Sequence, residues 1–326
     1  MDRHYLNRIV DLGLDPRFPP NLIATFPKIH RLRRIMDKAK LREGDRLFVV
    51  LTFDVERDYG SDRATEACAR VPEFLASLRD VCRDITIFVE GSLVEGNSWA
   101  LRPLQQRGIE IGLHGYRHEL WGRSQWYLPD RPLTFERKRA LLEAGIEAFQ
   151  RAGLSRPIMF RSPNLVADES TMNLLVEEGF RVDSSLPSHR GVLPVPQSFG
   201  GLGGLVRIPV TADPTPSLSR KGVLPYYRFR TCSLRSLREM ERGELLQYVS
   251  RVITLQEALG FPPHIVILSH SWEFLNPNVG RAPPDYCCPE NFEFLRHLDS
   301  TLSSKFNVRH MSMSALAEVL AKNQCE

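Results

Sequence analysis

From Arg46 to Asp183 the chain alternates short apolar runs rich in β-formers with amphipathic stretches, several of which end at glycine. No other feature restricts the fold as much. Arg46–Phe53 reads as a buried strand, bounded by Gly44-Asp45 and by Asp54. Asp84–Val89, Ile109–Leu113, Pro157–Phe160 and Phe180–Asp183 read as further strands. Between them, helices are expected over Asp62–Arg83, Ser98–Arg107, Phe135–Ala152 and Glu169–Glu178, with Gly108, Gly153 and Gly179 as stops for the last three. Such alternation predicts an α/β protein with parallel strands. Strand spacing and total length suit a TIM-like barrel, complete or distorted, at least as well as an open sheet.

After Asp183 the rhythm breaks. Leu186–Arg230 holds seven prolines and two Gly-Gly pairs, so loops are expected there, with one short strand at Leu205–Pro209. Helix returns over Leu234–Leu259, a buried strand over Pro263–Leu268, and closing helices over Asn291–Lys305 and Ser314–Lys322, with Val308–Met311 between them.

Charge divides the chain. Residues 1–46 hold 11 Lys/Arg against 6 Asp/Glu, while the remaining residues hold 32 against 33. The expected organisation is therefore a basic, partly helical extension over 1–45 and one catalytic-type unit over 46–322. Within the extension, Ile29, Leu32, Ile35 and Met36 lie on one face of a basic helix spanning 28–42. That helix either leans on anionic lipid or a phosphorylated substrate, or packs on the body with a solvated face. The near-neutral body and the absence of a recognition motif argue against nucleic-acid binding. The N-terminal stretch lacks a basic-then-apolar leader, and the six cysteines are irregularly spaced, so a cytoplasmic protein with reduced thiols is expected.

In parallel α/β folds, chemistry gathers at the carboxyl ends of strands. Five strands here end in polar groups. They are Asp54-Val55-Glu56, His114-Gly-Tyr-Arg-His118, Arg161-Ser-Pro-Asn164, Asp183-Ser-Ser185 and Ser269-His270-Ser271-Trp272-Glu273. Two histidines four apart with a carboxylate elsewhere make a set that leaves open positions on zinc or another divalent ion. Gly112 and Gly115 suggest close backbone approach around that pair. Trp121, Trp126 and Trp272 lie near the second and fifth segments, either to stack on sugar faces or to pack the rim. His189 and His264 match no such segment and read as structural.

Taken in order, TFDVE, HGYRH, RSPN, DSS and LSHSW resemble the five motifs of the polysaccharide deacetylase family, also called the NodB homology domain or carbohydrate esterase family 4. The resemblance covers roughly residues 46–320. It implies a distorted (β/α)7-8 barrel, a metal-dependent hydrolase, and removal of an N-acetyl or N-formyl group from an amino sugar. The family pattern has TFDD, H-S/T-x-x-H, R-x-P-Y, D-x-x-W and L-x-H. In this chain the carboxylates of the first motif are spaced by one residue, as in a related branch of the family. Asn164 replaces an aromatic residue, and the fourth motif lacks its tryptophan.

By this resemblance, Glu56, His114 and His118 hold one divalent ion, expected to be zinc. Spacing alone leaves open whether Glu56 or Asp54 is the metal carboxylate. Asp54 is implied as general base, oriented by Arg161. The Asn164 N–H is implied at the oxyanion, and His270 as general acid with its tautomer fixed by Asp183. The altered motifs leave room for an allantoinase-like or other small-amide hydrolase. From a different class, a carbohydrate-binding protein with a decayed site is the rival. With no leader and a basic extension, a lipid- or nucleotide-linked sugar and a peripheral membrane contact are the expected partners.

Overall fold

The computed structural model describes residues 3–15, 18, 30, 34, 44–56, 71–77, 84–123, 126, 128, 130–186, 195–200, 204–215, 217–221, 224–274 and 288–323. The basic helix expected over 28–42 and His189 lie outside these residues, apart from His30 and Arg34.

The expected strands appear as β1 (Arg46–Val55), β2 (Ile85–Val89), β3 (Glu110–Leu113), β4 (Met159–Phe160) and β5 (Val182–Asp183). Further along come β6 (Gln197–Phe199), β7 (Leu205–Arg207), β10 (His264–His270) and β11 (Asn307–His310). Pairings run in the order β10-β1-β2-β3-β4-β5-β7-β6, parallel throughout except for β6 on β7. This is a curled, mostly parallel sheet, a distorted barrel in which no pair between β6 and β10 closes the circle among the described residues. Residue pairing shows that β2 and β11 share one edge of β1. Leu51 pairs with both Ile267 and Ile85, and Phe48 with both His264 and Arg309.

Alternation along β1 divides the core into two layers. Leu47, Val49, Leu51, Phe53 and Val55 join the large outer cluster beneath the helices. Phe48 and Val50 join an inner cluster with Phe88, Met159 and Val266. Helix Met313–Asn323 plugs that cluster with Met313, Leu316 and Leu320. The next inward residues of β1 are Thr52 and Asp54, so the interior turns from apolar to polar towards the strands' carboxyl ends.

The outer layer includes helices Ser98–Gln106, Phe135–Arg151, Glu169–Glu177 and Asn291–Ser303. Thr134 caps the second of these through Arg137 N–H, and Asp168 caps the third through Thr171 N–H.

Two expectations fail on the second half of the chain. The proline-rich stretch taken as loops contains β6 and an antiparallel hairpin, β8 (Ser217–Lys221) with β9 (Leu224–Arg228). The single helix expected over 234–259 is two, Leu234–Arg238 and Arg242–Ala258. Gly243 falls in the first turn of the second helix, where the weak helix former costs less than in an interior.

Candidate active site

The carboxyl ends of β1, β3, β4 and β10 meet at one buried polar rim. Asp54 pairs in register with His270 on β10, so these two side chains arise side by side. Thr52, Asp54 and Glu56 are almost fully buried.

His114 follows β3, held by its N–H on the carbonyl of Val89. Its Nδ1 lies 2.9 Å from the Arg161 carbonyl. A carbonyl only accepts, so Nδ1 carries the proton and Nε2 is the atom presented to the site. That Nε2 is 3.1 Å from Glu56 Oε2 and 3.8 Å from Asp54 Oδ2. His118 Nε2 is 3.2 Å from the same Glu56 oxygen. The turn between the histidines is tight, since a Cβ on Gly115 would sit 2.8 Å from Trp121 Nε1, and on β3 before it one on Gly112 would sit 2.8 Å from the Phe88 ring. His118, Asn164 and Leu165 are the three non-glycine positions with positive φ among the described residues, at 67°, 58° and 52°. Uncommon backbone conformations cluster at functional sites.

Glu56, His114 and His118 offer one ligand atom each, all within 4.8 Å of one another. Two ligands on a tetrahedral ion with bonds of about 2.0–2.1 Å are roughly 3.3–3.4 Å apart, close to the observed histidine–glutamate separations. Burial alone would raise the Glu56 carboxyl. The facing imidazoles of His118 and His270, with hydrogen bonds from His114 and His118, nevertheless hold it well below the usual carboxylate range. Burial opposes protonation of His118, but the Glu56 carboxylate prevails and pushes it up to about 9. The cluster thus favours positive charge at this point. A divalent ion supplies such charge in place of protons, and two imidazoles with one carboxylate suit zinc chemistry. Of the two candidate carboxylates, Glu56 is the one grouped with both histidines.

Asp54 is turned to a different partner. Its Oδ1 accepts Arg161 Nη1 at 2.7 Å. Arg161 is fully buried and also donates to Thr52 Oγ1 at 2.8 Å and Ser184 Oγ at 2.9 Å. Its guanidinium lies 4.3 Å from the centre of the Phe88 ring. Fixed in this way, Arg161 holds one oxygen of Asp54 and leaves the other towards His114. Asn164 lies in a short turn, Pro163–Leu165, straight after β4. Its N–H has no acceptor among the described residues.

His270 ends β10. Burial opposes its protonation, but Glu273 and then Glu56 push it up to about 9. Its Nε2 lies 3.9 Å from Glu56 Oε1. The Trp272 ring stacks on it with centroids 4.9 Å apart, and Trp272 Nε1 donates to Glu56 Oε1 at 3.0 Å. Trp272 therefore ties up the glutamate oxygen that His114 and His118 do not face. Trp121 is buried against Phe160 and so packs the rim, whereas Trp126 is partly exposed and bonds Asp15 through Nε1.

The structure corrects one pairing. Asp183 does not orient His270: its oxygens accept Ser185 N–H at 3.0 Å and Arg207 Nε at 2.9 Å. The physical reason is register, since Asp183 on β5 pairs directly with Arg207 on β7. The carboxylate beside His270 is Glu273, which the motif pattern did not single out. Its signal was its position, three residues after His270, within reach of a single turn. His264 is structural as expected, buried with Nδ1 2.7 Å from the Pro262 carbonyl and its backbone N–H on Gln256. Of the cysteines, Cys232 and Cys288 are described, and burial pushes Cys232 up to about 12.

Comparison with known proteins agrees with the fold. Residues 42–182 match the polysaccharide deacetylase family profile. A peptidoglycan deacetylase-like protein of Gibberella zeae is 28% identical over 109 residues, which are 33% of this chain and 30% of that protein. The matched part is thus less than a third of that relative's length. Among solved structures, a Mycobacterium smegmatis protein described as a polysaccharide deacetylase superposes with a TM-score of 0.56 at 24% identity, over 86% of this chain and 92% of that one. A Pseudomonas aeruginosa protein similarly described gives 0.54 at 15% identity, over 86% and 92%. At such identities these two likenesses speak for the fold alone. Residues 42–182, less than half of the chain, carry the first three motifs and are the part that matches the polysaccharide deacetylase family.

Proposed function

We propose that the protein is a metal-dependent hydrolase that removes an N-acyl group, acetyl or formyl, from an amino sugar of a glycan or of a lipid- or nucleotide-linked precursor. One observation carries this reading: the Glu56–His114–His118 triangle lies beside an aspartate that a buried arginine holds by a single oxygen. When bound there, a divalent ion, by its donor set zinc, supplies a Lewis acid for the acyl carbonyl and acidifies water.

The rest of the chemistry falls to side chains. Asp54 takes a proton from the attacking water through Oδ2, while Oδ1 stays on Arg161. The Asn164 N–H faces the oxyanion. His270 gives a proton to the departing amine through Nε2, on the neighbouring strand. Base and acid rise from paired residues of β1 and β10, so both reach one bound amide.

The test joins metal analysis to turnover. Wild-type protein should carry about one zinc per chain after dialysis and release acetate or formate from N-acylated amino sugars. His114→Ala should lose the metal. Asp54→Asn should keep it while kcat falls roughly 10²–10⁴-fold. Turnover of small cyclic or linear amides in place of sugars would favour an allantoinase-like substrate. No metal in any form, even after reconstitution, would favour a binding protein.

A second reading, contact of the N-terminal extension with an anionic membrane, is supported by helix Arg3–Leu14. It turns Arg8, Asp11 and the following Asp15 towards the body, and exposes Leu6, Ile9, Val10 and Leu14.

A further inference from the structure

A general acid must present one nitrogen to the leaving group and hold the other against something that accepts its proton. The motif pattern assigned the second task to Asp183, which is engaged elsewhere. Three contacts define what surrounds His270 instead. The turn Ser271–Phe274 bends the chain straight after β10 and brings Glu273 back beneath the ring. Glu273 is 2% exposed, and its Oε2 accepts the His270 N–H at 2.7 Å. The same oxygen lies 3.3 Å from His270 Nδ1, near but off line, and the χ2 torsion of a histidine is soft enough to leave room for alignment. On the ring face, Trp272 stacks with planes 19° apart.

The turn is itself anchored. The Glu273 carbonyl accepts Asn291 Nδ2 at 2.5 Å and Cys288 N–H at 3.0 Å. Ser271 Oγ lies 3.4 Å from both the backbone N and O of Glu56. A buried carboxylate on a fixed turn is a rigid reference for the imidazole it touches.

We infer that Glu273 is the positioning residue for His270: its carboxylate holds Nδ1 and so directs Nε2 into the site, the task expected of Asp183. This rests on the hydrolase reading for its catalytic meaning, though not for the geometry.

The experiment compares two substrates whose leaving groups differ in their need for a proton. An N-acetyl amino sugar expels an amine and needs the acid. An aryl acetate expels a phenolate and does not. With zinc loaded, Glu273→Leu should lower kcat on the amide by about 10²-fold with KM little changed. It should leave the aryl ester within about 3-fold, which is the pattern expected of His270→Gln. Glu273→Gln keeps an acceptor for both His270 N–H groups and should recover much of the amide rate. It also serves if the leucine variant fails to fold. Asp183→Asn should not reproduce the amide-selective loss. Equal losses on both substrates, or none, overturn the inference.

If wild type hydrolyses neither substrate, the hydrolase reading fails separately. Long-range 1H–15N spectra of 15N-histidine protein, recorded at a pH above about 9 where His270 is neutral, then decide the geometry, with His270→Gln as the assignment control. Wild type and Glu273→Gln should carry the His270 proton on Nδ1, and Glu273→Leu should not. An unchanged tautomer in Glu273→Leu overturns the proposal.

Discussion

At the scale of single residues, His264 gives a sharp prediction because nothing catalytic depends on it. Its Nδ1 donates to the Pro262 carbonyl, while Nε2 faces the Gln256 amide nitrogen at 3.3 Å. Protonating Nε2 would set donor against donor in a buried place. Burial accordingly pushes its pKa down to about 4, against about 6.5 when unfolded. The unfolded chain thus binds the proton first as pH falls. Stability is intact above about 6.5, declines down to about 4, and levels off below, a loss of about 3 kcal/mol. Urea unfolding at pH 7 and pH 4.5 should show this decline in wild type and a shallower one in His264→Gln. Equal declines would place the acid sensitivity in other groups. The same scale shows what was readable in the sequence. Asp54, Glu56, His114, His118, Arg161 and His270 were legible because each lies at or just after the carboxyl end of a strand and strand ends converge. Glu273 was not, because its role depends on a turn that folds it back under its own neighbour. Asp183 misled because a motif fixes residue order, not which strand lies beside it.

At the scale of elements, helices Phe135–Arg151 and Glu169–Glu177 are linked by an ion pair between a buried lysine and a half-buried aspartate. Lys138, 1% exposed, places Nζ at 2.6 and 2.7 Å from the two oxygens of Asp168, the cap of the second helix. Burial works against the charge on Asp168, but hydrogen bonds from Lys138, Ser170 and Thr171 hold it below its ordinary value. Losing a cap alone costs about 1 kcal/mol. Losing the partner of a buried ammonium costs about 3–5 kcal/mol. Asp168→Ala should therefore destabilise nearer the larger figure, and adding Lys138→Met should recover most of it. If the double variant is no more stable than the single one, the cap is what matters. Among the described residues, the first-half elements were legible because apolar periodicity and glycine stops agree there. The β8–β9 hairpin was hidden by its composition, since proline and glycine read as breakers whether they interrupt a strand or turn a hairpin. Pro225 falls within β9, on a strand whose one partner among the described residues is β8, and an edge position tolerates proline.

At the scale of the whole molecule, the sheet curls around an interior that is apolar at one end and polar at the other, and the N-terminal helix attaches near the polar end. Arg8 donates to the Trp126 carbonyl at 2.6 Å, Trp126 Nε1 to Asp15 at 2.9 Å, and Arg123 pairs with Asp11 at 2.6 Å. Those contacts lie within eight residues of the His118 metal-ligand candidate, so the helix braces a loop of the rim. A helix that docks by its charges and turns Leu6, Ile9, Val10 and Leu14 outward reverses the usual arrangement of a surface helix. Water is a poor neighbour for that stripe. Residues 1–46 carry a net charge of +5, so the proposed membrane contact is with an anionic lipid surface. Full-length protein should co-sediment with vesicles containing phosphatidylserine, less with phosphatidylcholine alone, and less again at high salt. Ile9→Glu with Val10→Glu should weaken binding at least about 10-fold, since it removes apolar burial and adds like charge to an anionic surface. Both positions are away from the Arg8, Asp11 and Asp15 contacts, so turnover of a soluble substrate should persist while turnover of a vesicle-borne one falls. Binding that ignores both lipid charge and these substitutions would sink the membrane reading and leave the helix as a brace for the rim.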